Sequence, residues 1–370
     1  MIRFRDRFIL LRGIQALIKR LLPLMSMLVA IALLATGCFG GGTRPLGWSG
    51  VTADGDDLYF VTRDGTLFSI NAGNGNTVWQ NALEKAQGAY ASPLVVDDTI
   101  FVSTYSGKIY ALNTAGTLKW VYPTDNKLPS SVVSGLAYSD GLIYYGSDDG
   151  NVYALNANSG LKEWEFKTGD KIWATPVIGD GVLYVGSFDN TFYALSTENG
   201  NELWSFKAEG VFTGAAKIIG DTIVVGSLDR QLYAIDKNTG SKIWSFKGDR
   251  WFWTAPIILD GEVYAPNTDG TIYVIDLASG SLNNKYEMTA PISSTPIING
   301  SNIVVAAQDG VISLIETSTG QVSVLAELNT TVRAPLASQG DIVFVHSQTN
   351  ETIYALNGVT GAQIWLHSVQ

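Results

Sequence analysis

One short pattern occurs eight times along this chain and limits its fold more than any other feature. Two of the copies read NVYALNANSGLKEW and QLYAIDKNTGSKIW, each with an alternating apolar run, a polar turn and a second apolar run. The copies are anchored by Asp64, Ser106, Asp149, Asp189, Asp229, Asp269, Asp309 and Asn350. These anchors recur every 40 to 43 residues, which is the length of one blade of a β-propeller.

Each repeat predicts four short strands. In the unit from Thr175 to Lys207, β-branched and aromatic runs are separated by turns at 179–181, 189–190 and 198–200. We therefore predict an all-β, eight-bladed β-propeller of four-stranded antiparallel blades over residues 48–370. The first blade begins near Trp48 and the last includes Trp365. All eight blades are thus expected to be complete, and the ring to close without strand exchange.

The first 37 residues have the features of an export signal. Six basic residues precede the uncharged run LLPLMSMLVAIALLAT, namely Arg3, Arg5, Arg7, Arg12, Lys19 and Arg20. The following ALLATGC segment resembles the lipobox of bacterial lipoproteins, although Ala35 stands where that family more often has Leu. The resemblance implies a signal peptide over 1–37, a lipidated Cys38 carrying palmitate, and a tether over 38–47. The alternative is an ordinary signal followed by a chance cysteine.

The leader and the charge together indicate where the protein works and what it contacts. A lipidated Cys38 places the propeller outside the cytoplasm, on the periplasmic side of a membrane or at the cell surface. Cys38 is the single cysteine, so no intramolecular disulfide is expected. The chain has 24 basic and 34 acidic residues, and with the leader removed the charge is near −15. Such a surface excludes nucleic acid and favours neutral or basic partners, most simply proteins bound by a monomeric propeller.

The repeat resembles that of the pyrroloquinoline quinone dehydrogenases and their cofactor-free relatives, whose blades carry a tryptophan docking motif. Ala154, Asn156, Gly160 and Trp164 fit that motif. The resemblance implies that an indole of each blade packs on its neighbour, and this structural role falls to Trp79, Trp120, Trp164, Trp204, Trp244 and Trp365. Asn284 and Val324 stand in place of Trp in blades six and seven, so those two junctions are expected to be looser.

The residues argue against the enzymatic activity of that family. Many of its members stack the quinone on a disulfide of adjacent cysteines, which this chain cannot form. The acidic pairs at 56–57, 97–98 and 148–149 fall in expected hairpin turns, where Asp favours turn geometry over calcium binding. His346 and His367 lack cysteine partners for a zinc site. We therefore expect no cofactor, no metal and no catalytic residue, while a glycosidase pair of acids across the axis stays open.

The sequence also places a set of aromatic and basic residues around the axis. Links between blades and the hairpins joining their second and third strands share one face, where the length variation lies. Aromatic residues precede the innermost strand at Trp48, Tyr90, Trp173 and Trp253, with Phe212 one residue out of register. Together with Arg250, Trp251 and Arg333 they form a candidate binding mouth, because Trp, Tyr and Arg are frequent in interaction hot spots. The alternative is that these rings plug the channel or join adjacent blades.

Leader, length and blade number together resemble the outer-membrane β-barrel assembly lipoprotein family. That resemblance implies a membrane-tethered, non-catalytic scaffold that takes part in outer-membrane protein assembly. Two alternatives belong to other classes: an exported quinone-dependent oxidoreductase or glycosidase, and a carbohydrate-binding surface module. A shared fold does not decide between them.

The anchor hypothesis predicts that a Cys38→Ser variant loses its acyl group and leaves the membrane fraction. Mass spectrometry of the mature N-terminus and fractionation of membranes check this. A native protein that begins at another residue and carries no lipid would show that Cys38 is a chance cysteine.

Overall fold

The computed structural model describes residues 47–83, 87–124 and 130–369. Residues Leu46 to Gln370 form one compact unit. The expected signal peptide, Cys38 and all of the tether before Gly47 lie outside the described residues. Within the described ranges no helix has the length and apolar character needed to cross a membrane.

The first four blades have the following strands. Blade one contains β1 (Thr52–Asp54), β2 (Asp57–Val61), β3 (Thr66–Asn71) and β4 (Thr77–Ala82). Blade two contains β5 (Leu94–Val96), β6 (Thr99–Ser103), β7 (Ile109–Asn113) and β8 (Leu118–Tyr122). Blade three contains β9 (Ala137–Ser139), β10 (Leu142–Gly146), β11 (Asn151–Asn156) and β12 (Lys162–Lys167). Blade four contains β13 (Val177–Gly179), β14 (Val182–Gly186), β15 (Thr191–Ser196) and β16 (Glu202–Lys207).

The last four blades repeat this order. Blade five contains β17 (Lys217–Ile219), β18 (Thr222–Gly226), β19 (Gln231–Asp236) and β20 (Lys242–Lys247). Blade six contains β21 (Ile257–Leu259), β22 (Glu262–Pro266), β23 (Thr271–Asp276) and β24 (Leu282–Glu287). Blade seven contains β25 (Ile297–Asn299), β26 (Asn302–Ala306), β27 (Val311–Glu316) and β28 (Gln321–Glu327). Blade eight contains β29 (Ala337–Gln339), β30 (Ile342–His346), β31 (Thr352–Asn357) and β32 (Gln363–Ser368).

Every blade is built from four consecutive antiparallel strands, here called A to D from the axis outward. The hydrogen-bonded order within each sheet follows the chain, from β1-β2-β3-β4 to β29-β30-β31-β32. The predicted all-β, eight-bladed architecture is thus confirmed, and within residues 47–369 as described no strand is exchanged between the first and last blades. Strands B and C are almost wholly buried, whereas strand D is mostly exposed, as the patterns of β14 and β16 show.

In six of the eight repeats the anchor is an aspartate, and its carboxylate organises the turn between strands B and C. In blade four the two oxygens of Asp189 accept hydrogen bonds from the backbone N–H of Thr191 at 2.8 Å and from the Tyr193 hydroxyl at 2.7 Å. The intervening Asn190 has a φ of +69°, a conformation that Asn tolerates better than most residues. Asp149, Asp229 and Asp269 make the same pair of contacts in their blades. One side chain therefore fixes both the turn and the strand that follows it.

The core lies between neighbouring blades, because the faces of adjacent sheets pack on each other. Tyr184 and Phe192 of blade four pack with Ile223 and Tyr233 of blade five in one such cluster. The cluster that joins blade eight to blade one contains Phe344, Ile353 and Trp365 together with Phe60. The ring is thus stabilised by eight inter-blade layers instead of one central core.

Six of the inter-blade junctions share one tryptophan contact. In blade three the Nε1–H of Trp164 donates to the Thr197 carbonyl of blade four at 2.9 Å, and its ring covers Gly200. The other five indoles make the equivalent bond at 2.9 to 3.0 Å; they are Trp79, Trp120, Trp204, Trp244 and Trp365. The covered residue is a glycine at every one of these junctions. A Cβ there would lie 2.6 to 2.8 Å from the ring, closer than real Cβ atoms come.

The two junctions without an indole differ from the rest and from each other. Asn284 pairs with Val274 in the register that Trp occupies elsewhere, but it is exposed, and Gly320 meets only the Tyr286 hydroxyl at 3.5 Å and the Asn284 amide at 4.0 Å. In blade seven the irregularity in the pairing of strands C and D lies between Ile312 and Ser313, near the start of strand C. In blade six it lies near the end of strand C, between Val274 and Ile275. Val324 is therefore 56% exposed, and the backbone of Leu325 packs against the next blade.

Trp164→Ala is expected to lower the free energy of unfolding by about 3 kcal/mol, the lower end of the range for core tryptophans, because the ring is half-buried. Asn284→Ala, at the same register position in blade six, is expected to change it by less than about 0.5 kcal/mol. Urea denaturation of both variants checks the difference. Equal losses would show that the indole does not stabilise its junction.

A matched pair of glycines isolates the contact with the ring. Gly200 and Gly220 both have positive φ, at +73° and +54°, but only Gly200 lies under an indole, and a Cβ at Gly220 meets nothing within 4 Å. Replacement by Ala is expected to cost about 1 kcal/mol at both for the backbone. At Gly200 the displaced ring adds about 2 kcal/mol. Denaturation midpoints measure this, and similar losses at both sites would contradict the contact.

Candidate interaction face at the axial mouth

One residue per blade lies at the same position before the innermost strand. Trp173 and Trp253 each precede the first residue of strand A by four positions, and so does one residue in each of the other blades. The full set is Trp48, Tyr90, Val133, Trp173, Thr213, Trp253, Ser293 and Arg333. This face, with the links and the B-to-C hairpins, is called the axial face below.

Backbone hydrogen bonds attach the links to the hairpins of the same face. The N–H of Phe188 donates to the Lys171 carbonyl at 2.9 Å, and the N–H of Thr268 donates to the Trp251 carbonyl at 3.0 Å. The same bond recurs between Leu228 and Val211. Side chains from a link and a hairpin are therefore held side by side on rigid backbone.

Aromatic rings form a continuous group over blades four to six. Trp173 contacts Phe188 edge-on with centroids 4.6 Å apart, and it contacts Trp253 at 6.4 Å. These two tryptophans come from blades four and six, and the intervening position is occupied by the small Thr213. Trp251 lies on the same link as Trp253 and is 37% exposed. We call Trp173, Phe188, Trp251 and Trp253 the aromatic sector.

A carboxylate and an ammonium group bound this sector. The indole Nε1–H of Trp173 donates to Asp148 at 2.7 Å, which fixes the orientation of the ring. Burial raises the pKa of the Asp148 carboxyl, although the indole hydrogen bond and Lys171 oppose the shift. The Lys171 ammonium lies 4.4 Å from the Trp173 ring and 4.5 Å from that of Phe188. The sector thus combines apolar area with a desolvated acid, which suits a partner that offers both apolar and hydrogen-bonding groups.

The remaining residues of the predicted mouth are spread around the face. Trp48 and Tyr90 form a second aromatic pair at 4.5 Å, in blades one and two. Arg250 and Arg333 are exposed. Phe212 is fully buried in the layer between blades four and five, so its ring lies in the core and not on the axial face.

The longer hairpin of blade eight has a structural role that the sequence did not reveal. The Arg63 guanidinium of blade one donates to the carbonyls of Gln348 and Thr349 at 2.6 and 2.9 Å. The backbone N–H of Arg63 donates to the Glu351 carboxylate at 2.6 Å. These residues therefore join the last blade to the first.

The acidic pairs lie in turns, as their positions predicted, except that Asp57 is the first residue of strand β2. Asp97 has a φ of +50°, and its neighbour Asp98 forms an exposed ion pair with Lys119 at 2.8 Å. Asp148 accepts a hydrogen bond from the Trp173 indole, and Asp149 accepts one from the backbone N–H of Asn151 in its own hairpin. Among the described residues, no three His, Cys, Asp or Glu side chains are grouped so that they could hold a metal ion.

The family model described as outer membrane protein assembly factor BamB matches residues 39–134, 125–218, 209–291 and 278–367, which together cover the whole propeller. The chain belongs to this family. The resemblance seen in the repeats is confirmed.

Individual relatives, an assembly factor and a dehydrogenase among them, are similar to this chain over shorter stretches. The BamB of Shewanella oneidensis is 35% identical over 122 residues, which are 32% of this chain and 30% of that protein. A putative dehydrogenase XoxF of Paracoccus denitrificans is also 35% identical, over 125 residues that are 30% of this chain and 21% of that protein. The matched segments thus span less than a third of each relative. An assembly factor and a putative dehydrogenase therefore both match part of this chain.

The crystal structure of BamB from Moraxella catarrhalis superposes with a TM-score of 0.68 at 21% identity, over 84% of this chain and 91% of that one. At this identity the match supports the BamB-like fold alone. Function must be argued from the site.

Proposed function

We propose that this member of the BamB family is an exported, lipid-tethered binding propeller without catalytic activity, which holds a protein partner on its axial face. The aromatic sector is the observation that carries the proposal. In it the ring of Trp173 lies 4.6 Å from that of Phe188 and 6.4 Å from that of Trp253, on links and hairpins joined by backbone hydrogen bonds. Rigid aromatic groups at the centre of a face are typical of hot spots in protein interfaces.

The charge and polarity of the face support a protein partner. The acidic balance of the chain favours neutral or basic groups, and the sector adds indole and carboxylate groups beside apolar area. Nucleic acid would require a basic surface, which a net charge of −10 does not supply. The sector offers the large, partly exposed aromatic area that protein interfaces use.

The family relationship supports a role in outer-membrane protein assembly, the process named in the description of the family. The proposed lipid at Cys38 would hold the ring at a membrane on the exported side, leaving the axial face free for a client or for another assembly protein. The proposal also treats the propeller as a monomer, because the repeats close into a ring within one chain.

The dehydrogenase relatives define the competing function. We propose that no pyrroloquinoline quinone binds, because the single cysteine excludes the disulfide of adjacent cysteines on which many of those enzymes stack it. Purified protein supplied with the quinone and calcium is expected to give no dye reduction with alcohols. Turnover in this assay would replace the binding proposal with a dehydrogenase.

Replacing Trp173 and Trp253 together by Ala is expected to weaken capture of a crosslinked partner by about 30-fold, the equivalent of roughly 2 kcal/mol. Unlike Trp164, these two rings belong to none of the eight inter-blade layers, so the melting temperature should fall by less than in Trp164→Ala. Partner capture from crosslinked membranes and thermal melting are measured on the same preparation.

The control removes exposed apolar side chains at other turns. Leu161 and Val359 are 68% and 61% exposed in the C-to-D turns, which lie on the opposite face. Leu161→Ala with Val359→Ala is expected to leave capture unchanged. If the tryptophan variant melts normally and still captures every partner, the binding face lies elsewhere.

A further inference from the structure

Both histidines of the chain lie at one place, the junction where blade eight meets blade one, called the seam below. His346 ends strand B of blade eight and His367 lies in its strand D. In register with His346, blades three, four and five have Gly146, Gly186 and Gly226.

The position that His367 occupies also holds an uncharged residue in other blades. It pairs with Ile353 as Phe166 pairs with Val152 and Phe206 with Phe192. The repeat therefore does not require an imidazole at either position. Both occur only where the first and last blades join.

His346 is held in its neutral form. Its Nδ1–H donates to the Ser49 carbonyl at 2.5 Å across the seam, because a carbonyl can only accept. Its Nε2 is buried and has no hydrogen-bond partner among the described residues. The ring lies edge-on to Phe60 at 5.4 Å. A second proton at Nε2 would thus be placed among apolar groups with no acceptor, and burial lowers the pKa of His346 to about 4.

His367 repeats this arrangement further from the axis. Its Nδ1 bonds to the Gly75 carbonyl of blade one at 2.9 Å, and its buried Nε2 also has no partner within the described part of the chain. Phe60 and Phe68 contact its ring at 6.1 and 5.9 Å. Two imidazoles therefore join the same two blades through bonds to blade-one carbonyls.

The charged groups near the seam do not favour a cationic imidazole. Arg63 opposes the charged form of His346 and is itself held by Glu351, with Nε to carboxylate oxygen at 3.6 Å. Asp64, next in the chain, is engaged by Thr62 and by the N–H of Thr66. Among the residues that the structure describes, no carboxylate is hydrogen-bonded to either imidazole.

We propose that the seam is an acid-sensitive closure, which opens when His346 gains a proton, while the other junctions stay closed. In the open state the imidazole is solvated and has its ordinary affinity for a proton. Opening is then favoured progressively as the pH falls from about 6.5, and the effect levels off near pH 4, where the closed form also binds the proton. Over this window the opening equilibrium is expected to rise by about two orders of magnitude.

Thiol labelling at equivalent buried alanines tests the seam directly. Ala355 faces the seam, and Ala154 occupies the same register position in blade three; both are fully buried. In a Cys38→Ser background, Ala355→Cys and Ala154→Cys are labelled with 4,4′-dithiodipyridine, which reacts in acid. The ratio of the two rates cancels the pH dependence of the reagent. We expect this ratio to rise by about two orders of magnitude between pH 6.5 and 4. A constant ratio overturns the proposal.

Two variants identify the group responsible. His346→Val introduces the residue that blade one has at this position, Val61, and should make the ratio independent of pH. Glu351→Gln removes the carboxylate of the Arg63 contact, and the pH dependence should persist. If it persists in His346→Val or disappears in Glu351→Gln, another group at the seam and not His346 opens the ring, and the proposal is overturned.

Nuclear magnetic resonance of the folded wild-type protein follows the protonation of His346 directly. With two histidines, the chain gives two imidazole signals, which His367→Phe assigns. The His346 signal should show no titration above pH 5 while the blades remain folded. Titration near 6.5 in the closed ring would overturn the proposal.

Discussion

The contact between an indole and a glycine of the following blade is the interaction on which this ring depends. It combines a hydrogen bond to a backbone carbonyl of that blade with the burial of a large aromatic face on bare backbone. The repeated sequence contains both the tryptophan and the glycine, so neighbouring copies form the same contact at one junction after another. Glycine is required because a Cβ at Gly200 would lie 2.6 Å from the ring of Trp164.

Once the outer edge is fixed in this way, the axial positions are fixed as well. The strand registers are nearly identical from blade to blade, so one residue per blade reaches the mouth at a constant offset from strand A. These positions make few demands on the fold, which is why they hold residues as different as Trp173, Thr213 and Arg333. The ring separates stability, which lies between the blades, from recognition, which lies on the links.

The repeat allowed the strands, their order and the absence of strand exchange to be predicted from sequence. The partners of Trp173 were harder to predict, because Asp148 and Phe188 come from hairpins in two different blades. Aligning the residue before each anchor could have indicated them, since both occupy that position. The Arg63 contact with the last blade and the buried state of His346 leave no local pattern. Each depends on residues 285 or more positions apart that meet only when the ring closes.

The direction of the tryptophan contact has a consequence for how the chain folds as it is synthesised. Each indole reaches forward to the next blade over 33 to 37 residues, so a blade cannot complete its outer contact until its successor has been made. Only Trp365 reaches backward, to Ala72, across 293 residues. The face of blade one that packs against blade eight therefore stays uncovered until the last strand has been synthesised. Early folding is local and stepwise, and the final step is a single long-range closure whose entropic cost exceeds that of each earlier contact by about 2 kcal/mol.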